Sequence, residues 1–219
     1  MRIAHACLAL ALLAGAGCRT STSPPAAAAS PATPRIGFVG DSLTIGLYAT
    51  SQAQAYPELV ASALHAQPVI QATSGIAATS LNPRMPLPTR VKIVVVELGT
   101  NDLSQRVQDF QRSYQALIGR LNRASARTTF VCLGLWRGAA DSAPPAGAPP
   151  AAFDEAIARV CPGSFVALAP LYMDPSVHGP AGRPTWKGAA DWFHPNDEGH
   201  RRIADAVVEV LQGIDGQSR

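Results

Sequence analysis

A serine hydroxyl is a poor nucleophile at neutral pH and needs a base beside it. In this chain Ser42 lies in Gly40-Asp41-Ser42-Leu43, directly after a short apolar run. The histidine that fits as base is His194, in Asp191-Trp192-Phe193-His194, because it stands near a carboxylate and just before a helix start at Pro195. Asp191, three residues earlier, is close enough in a turn to accept the second ring N–H of that histidine. Such a bond fixes the tautomer and favours the imidazolium formed during attack. Acyl transfer also needs donors aimed at the developing oxyanion, each worth about 3 kcal/mol when removed. The backbone amides of Ser42 and Gly75 and the side-chain amide of Asn101, in Gly99-Thr100-Asn101-Asp102, supply three. Taken singly, each residue has a plainer reading: Ser42 a helix cap, Gly75 and Asn101 turn residues, His194 a partly exposed turn residue. Their order, and their place at strand ends, is what makes them a set.

The elements that must position them are legible as runs. Ile36 to Val39, Val69 to Ala72, Ile93 to Leu98, Thr129 to Leu135 and Phe165 to Leu168 read as five strands. The third is a nearly continuous branched apolar run, as expected of a parallel strand covered on both faces. Pro57 to Leu64 reads as a helix with proline in its first turn. Val107, Phe110, Tyr114, Leu117, Ile118 and Leu121 form one helical stripe. Phe153, Ile157 and Val160 mark a further helix, and Ile203, Val207 and Val210 the closing one. Strands alternating with helices predict an α/β fold, a mostly parallel five-stranded sheet with helices on both sides. In such sheets sites form at the carboxyl ends of the strands. Ser42 follows the first strand, Gly75 the second and Asn101 the third. Gly138 to Pro150 and Asp174 to Gly188 read as rim loops.

With those blocks in place, the chain resembles the SGNH, or GDSL, hydrolase family over roughly Arg35 to Leu211: Ser42, Gly75, Asn101 and His194 match its four letters in order. The resemblance implies a flavodoxin-like three-layer α/β/α sandwich and ester hydrolysis with no cofactor and no metal. It also implies roles: Ser42 as nucleophile, His194 as base, Asp191 as its partner, Gly75 and Asn101 completing the oxyanion hole. Two positions depart from the family pattern. Ala78 stands where many members have a second glycine, and Thr73 where many have asparagine, so the shape of that loop is not carried over. The Gly-x-Ser-x-Gly elbow of ordinary α/β-hydrolases is absent, since Thr44 holds the last glycine position.

Composition bounds the rest. The chain has 219 residues, 47% of them hydrophobic, and a formal net charge of +3. That suits one domain with a sizeable core. There is no Lys/Arg-rich run, so no nucleic-acid partner is expected. Residues 1–18 read as a signal: Arg2, then an apolar run from Ile3 to Ala16 too short to span a bilayer. Gly15-Ala16-Gly17-Cys18 resembles a bacterial lipobox with Cys18 lipidated, while Ala14-Gly15-Ala16 fits an ordinary signal-peptidase site. Residues 19–34 read as a Ser/Thr/Pro/Ala tether, which favours the lipoprotein ending. Residues 35–213 form the expected hydrolase domain, and 214–219 a tail. The expected location is therefore exported: periplasmic, anchored at the outer membrane through Cys18, or secreted. A monomer is expected, touching membrane only through that anchor. Cys132 and Cys161 either pair, as an oxidising compartment permits, or are two buried small apolar residues.

Trp136, at the end of the fourth strand, and Trp186 and Trp192, flanking the last block, are candidate rim aromatics for a sugar ring or an acyl chain. The alternative is that one or two of them pack beneath the rim loops. His65 reads as a surface residue, and His200 as part of the closing helix. Asp41 and Asp102 read as turn and capping residues, and no zinc-ligand pattern surrounds His194 and His200. The functional expectation is a serine esterase acting on short-chain O-acyl esters, with a small-molecule or glycan substrate. The alternatives are a lysophospholipase or thioesterase, an acyltransferase using the same serine, and a tethered binding protein without catalysis.

Overall fold

The computed structural model describes residues 33–125, 127–138 and 147–217. Cys18, the signal and residues 19–32 of the tether lie outside the described residues.

Five parallel strands form one sheet: β1 (Arg35–Gly40), β2 (Gln67–Ala72), β3 (Ile93–Glu97), β4 (Thr129–Leu133) and β5 (Ser164–Val166), in the order β2-β1-β3-β4-β5. The five strands and four main helices read from the sequence are all present. The helices are α1 (Ser42–Ile45), α2 (Tyr56–Ala63), α3 (Val107–Ala124), α4 (Pro150–Val160), α5 (Ala169–Tyr172) and α6 (Asp197–Gln217). A two-stranded antiparallel ribbon, β6 (Pro184–Thr185) with β7 (Gly188–Ala189), forms at the end of the expected rim loop and runs one residue past it. α6 runs to Gln217, so the expected tail at 214–219 begins within the helix.

Alternation along the strands builds the three layers, because successive side chains leave opposite faces. On one face Val94 and Val96 pack with Phe110, Tyr114, Leu117, Phe153 and Ile157 of α3 and α4. On the other, Val95, Phe38 and Val131 pack with Tyr56 and Val60 of α2 and Ile203, Val207 and Leu211 of α6. Both faces of the central strands are covered, which is why β1, β3 and β4 read as nearly continuous apolar runs. Burying each large apolar side chain contributes about 1.5–3 kcal/mol.

Cys132 of β4 is bonded to Cys161, just past α4, with 6.2 Å between their Cα atoms. Of the two readings open in the sequence, the structure has the disulfide. The bond closes a span of 29 residues, which on the chain-entropy account stabilises by about 3–4 kcal/mol.

Candidate active site

The strand order turns back between β1 and β3, and ligands in open α/β sheets bind outside the carboxyl ends at such a point. β1 ends at Gly40, and the chain turns at once into α1, whose first residue is Ser42. Asp41 caps that short helix, its Oδ1 accepting the Leu43 N–H at 3.0 Å. The turn requires glycine before it: a Cβ on Gly40 would lie 1.9 Å from Thr44 Oγ1 and 2.6 Å from the Glu97 carbonyl.

Ser42 Oγ lies 3.0 Å from His194 Nε2, and His194 Nδ1 lies 2.9 Å from Asp191 Oδ2. Asp191 is itself held, its Oδ1 accepting the backbone N–H groups of Phe193 at 2.8 Å and His194 at 2.7 Å. Burial alone would raise this carboxyl. The bonds from His194 and Phe193 outweigh it and hold Asp191 below the usual carboxylate range. Asp191 therefore stays ionised, and the ring N–H donates to it. That leaves Nε2 as the acceptor facing the serine.

The segment carrying His194 is fastened from behind. The Phe193 carbonyl accepts the Trp136 indole N–H at 2.7 Å and faces His178 Nδ1 at 3.2 Å. Asn196 donates to the carbonyls of Ser176, His178 and Gly179, and its Oδ1 accepts the Gly199 N–H at the start of α6. Trp136 thus corrects an expectation: it is fully buried and does not reach the rim. Its backbone N–H bonds Thr100 Oγ1 at 3.0 Å, so both of its donors are spent inside. Trp186 is 37% exposed and Trp192 67%. Trp186 donates to the Gly46 carbonyl at 2.9 Å, tying the β6–β7 ribbon to the nucleophile turn, with Lys187 Nζ over its ring. Trp192, next to Asp191, lies against Gly179.

The residues expected to form the oxyanion hole come from three turns, after β1, β2 and β3. Gly75 has φ +71°, open to glycine at little cost. The amides of Ser42 and Gly75 have no protein acceptor among the described hydrogen bonds. Asn101 Nδ2 donates to Asp41 Oδ2 at 2.7 Å and to the Ile76 carbonyl at 3.1 Å. Both of its hydrogens are therefore engaged. Asp102, fully buried, accepts the N–H groups of Ala78 (2.7 Å) and Thr79 (3.0 Å) and the Thr79 hydroxyl (2.9 Å). It caps the 3-10 turn Ala78–Ser80 and so locks the loop carrying Gly75 to the loop carrying Asn101. A backbone N–H at Ala78 is what this joint uses, which explains how the loop is formed without a second glycine.

Three neighbours of the site have no clear signal in the sequence. Tyr48, at φ +66°, packs edge-on against the His194 ring with centroids 4.9 Å apart. His200, buried in α6, accepts the Tyr56 N–H at Nδ1 and donates from Nε2 to the Leu47 carbonyl at 3.1 Å, which supports the loop carrying Tyr48. Burial lowers its pKa to about 4, so it is neutral at pH 7. Glu97, buried at the end of β3, accepts from Asp41 N–H and Thr44 Oγ1. The one cue to it was a charged residue inside an otherwise apolar strand. Among the described residues, no group of three His, Cys, Asp or Glu side chains is placed to hold a metal ion. A groove of about 360 Å³ lined by Ile36, Leu64, Ile93 and Leu211 opens at the amino edge of the sheet, away from the triad.

A family model described as GDSL-like Lipase/Acylhydrolase matches residues 38–202, the stretch that carries all five candidate residues. The chain belongs to that family. No curated protein sequence matches it. Among solved structures it is similar to a family two carbohydrate esterase from Clostridium thermocellum in complex with cellohexaose: 21% identity, TM-score 0.64, 87% of this chain and 67% of that one. An active-site mutant of such an esterase from the same organism is 21% identical with TM-score 0.63, covering 85% of this chain and 65% of that one. A salicylyl-acyltransferase, SsfX3, from a tetracycline biosynthetic pathway is 13% identical with TM-score 0.65, covering 85% of this chain and 56% of that one. The chain spans about two thirds of the length of the carbohydrate esterases. At these identities the likeness is one of fold, the α/β arrangement expected of an SGNH hydrolase.

Proposed function

We propose that this GDSL-like family member is a serine esterase that removes short acyl groups from O-esters, with acylated glycans as the substrate class. The observation that carries the reading is the line Ser42 Oγ, His194 Nε2, His194 Nδ1, Asp191 Oδ2, joined at 3.0 and 2.9 Å. His194 takes the Ser42 proton as Oγ bonds to the ester carbonyl carbon. The carbonyl oxygen becomes an oxyanion, met by the Ser42 and Gly75 amides and by Asn101. The alcohol leaves with the proton held on His194. Water then repeats the sequence on the acyl-serine, releasing the carboxylic acid and restoring the hydroxyl.

Two observations support glycans as substrates: carbohydrate esterases are among the structural neighbours, and the exposed indole of Trp192 stands beside Asp191. An exposed aromatic face suits a sugar ring. Trp186, half committed to Gly46, is the lesser candidate. Export, with an anchor at Cys18, is part of the same proposal. Mass spectrometry of the mature N-terminus tests it, and an unmodified terminus at Gly17 excludes the anchor.

The test of function is an ester panel varying acyl length and alcohol group, run with a fluorophosphonate probe. Turnover of acetylated saccharides and labelling at Ser42 are expected. Preference for long acyl chains on a glycerophosphate would favour the lysophospholipase reading, and for acyl thioesters the thioesterase reading. Accumulation of transfer product with an added alcohol would favour an acyltransferase. Absent labelling would revive the binding-protein reading.

A further inference from the structure

Glu97 and Asp41 are both fully buried directly behind the nucleophile, and the chemistry above uses neither. Glu97 Oε2 accepts the Asp41 N–H at 3.3 Å and the Thr44 hydroxyl at 3.0 Å. Thr44 Oγ1, its own hydrogen committed, accepts from the Tyr56 hydroxyl at 2.8 Å. Glu97 Oε1 has no hydrogen-bond partner. Asp41 is better supplied. Its Oδ1 accepts from Leu43 N–H at 3.0 Å, with the Ser42 hydroxyl at 3.4 Å, and its Oδ2 accepts from Asn101 at 2.7 Å. Neither acid pairs with Lys or Arg among the described ion pairs.

Two buried acids side by side, without a cation, cannot both ionise. The hydrogen bonds decide which one does. An ionised Glu97 would leave a buried anionic oxygen with nothing to donate to it, whereas each Asp41 oxygen has donors. Burial first, and then the Asp41 charge, push Glu97 well above the usual carboxylate range. Burial also raises Asp41, against the bonds from Glu97 and Leu43 and the attraction of His194. The other titratable groups facing the pair are Tyr56 and Tyr114, both buried and both raised by burial.

We propose that Asp41 and Glu97 are positioning residues that share one proton: Glu97 remains a neutral acid holding the Asp41–Thr44 turn, and the Asp41 carboxylate fixes both Ser42 and the Asn101 amide. The kinetic consequences rest on the esterase reading; the protonation state does not. With a single charge held on Asp41, one Asn101 hydrogen is permanently engaged. The other, in its exposed contact with the Ile76 carbonyl, is the one that a bound ester's oxyanion can take over.

Infrared spectroscopy of the whole chain at neutral pH reads the proton directly. A protonated-carboxyl stretch is expected in the parent and in Ser42→Ala, and is expected to vanish in Glu97→Gln. No such band, or a band that survives in Glu97→Gln, overturns the shared proton. On a short-chain ester, Glu97→Gln should keep kcat within about threefold, because a neutral amide retains the acceptor oxygen, while Glu97→Leu should lose at least about tenfold in kcat at unchanged KM. Asp41→Asn should lose about a hundredfold in kcat, since an amide there turns N–H toward N–H at Asn101. Should Glu97→Leu fail to fold, Glu97→Gln and Asp41→Asn decide the matter between them. A folded Glu97→Gln as inactive as Asp41→Asn overturns the proposal. A parent inactive on every ester sinks the esterase reading instead, and the infrared result still stands on its own.

Discussion

Asn101 Nδ2 lies 2.7 Å from Asp41 Oδ2, so the side chain expected to meet the oxyanion is held by the residue that precedes the nucleophile. The bond orients the amide: with Oδ1 in that place, a carbonyl would face a carboxylate. It also couples two parts of the site that are 60 residues apart in sequence, in the turns that follow the paired strands β1 and β3. The second hydrogen rests on the Ile76 carbonyl, an exposed contact that a bound ester can replace.

The first prediction concerns the nucleophile. Ser42→Ala should lower kcat by at least about a thousandfold and leave melting unchanged, because the residue removes one oxygen from a small buried turn without disturbing the Asp41 cap. Ester hydrolysis near the parent rate in the folded variant would remove Ser42 from the mechanism.

The second separates base from orienter. His194→Ala should cost on the order of 10⁶ in kcat, and Asp191→Asn about 10⁴. An amide at 191 can still accept the Phe193 and His194 backbone N–H groups, so the loop should survive. Its other end would donate to Nδ1, moving the ring proton to Nε2, where it faces Ser42 and blocks proton transfer. Equal activity of Asp191→Asn and the parent would show that another group orients the ring.

Much of the fold is legible in the sequence. The central strands are legible because both faces are buried, which leaves nearly continuous apolar runs such as Ile93 to Leu98. The Ser42, Asp191 and His194 set is legible because Ser42 follows the first strand and the carboxylate and ring stand three residues apart just before a helix start. What escaped was set by partners distant in sequence. Strand position alone puts Trp136 near the rim, and only its buried partners decide for the alternative, packing beneath it. Phe193, 57 residues later, supplies the acceptor that buries its indole. The role of Glu97 is not legible in its own strand because its hydrogen-bond partners, Asp41 and Thr44, lie in the turn after β1 and in α1. Tyr48 reaches His194 through a positive φ that nothing in Leu47-Tyr48-Ala49 announces. The two cysteines carried both readings until the distance between β4 and the end of α4 was known.

The third prediction is Asn101→Ala. It should lower kcat by on the order of a hundredfold while KM changes little, since the oxyanion exists only near the transition state. The substitution also strips one donor from buried Asp41, so some stability should be lost too. Normal kcat with a lowered melting temperature would confine Asn101 to holding the turn.

The fourth concerns the joint between the oxyanion loops. Asp102→Ala leaves the Ala78 and Thr79 amides without their acceptor, at about 1–3 kcal/mol for the buried groups. Amide exchange should then rise at residues 76–80, ahead of any change in α3. kcat should fall without Asp102 touching substrate. Exchange that rises evenly through the sheet would mean a general loss of stability and no special role for this joint.

The last prediction is a pH dependence of stability. His200 is buried and neutral, with its pKa lowered from 6.5 to about 4. Between those values the unfolded chain binds a proton that the folded chain refuses, so folding is favoured above pH 6.5 and weakens as pH falls toward 4. At about 1.4 kcal/mol per unit, the loss over that window is about 3 kcal/mol. Glu198 and Asp174, each lowered to about 2 by their bonds to Arg201, Arg202 and Ser176, lose stability in the same direction but at lower pH. Glu97 runs the other way, since its raised pKa favours the folded state at low pH. Because Glu97 acts in that same window, the histidine is isolated by comparison with a His200 variant and not by the pH range alone. His200→Gln should be less stable than the parent at pH 7, where the ring joins Tyr56 and Leu47, and the gap should narrow by pH 4.5. Urea unfolding of both proteins across that range is the measurement, and parallel curves with a constant gap would show that His200 takes up its proton inside the fold.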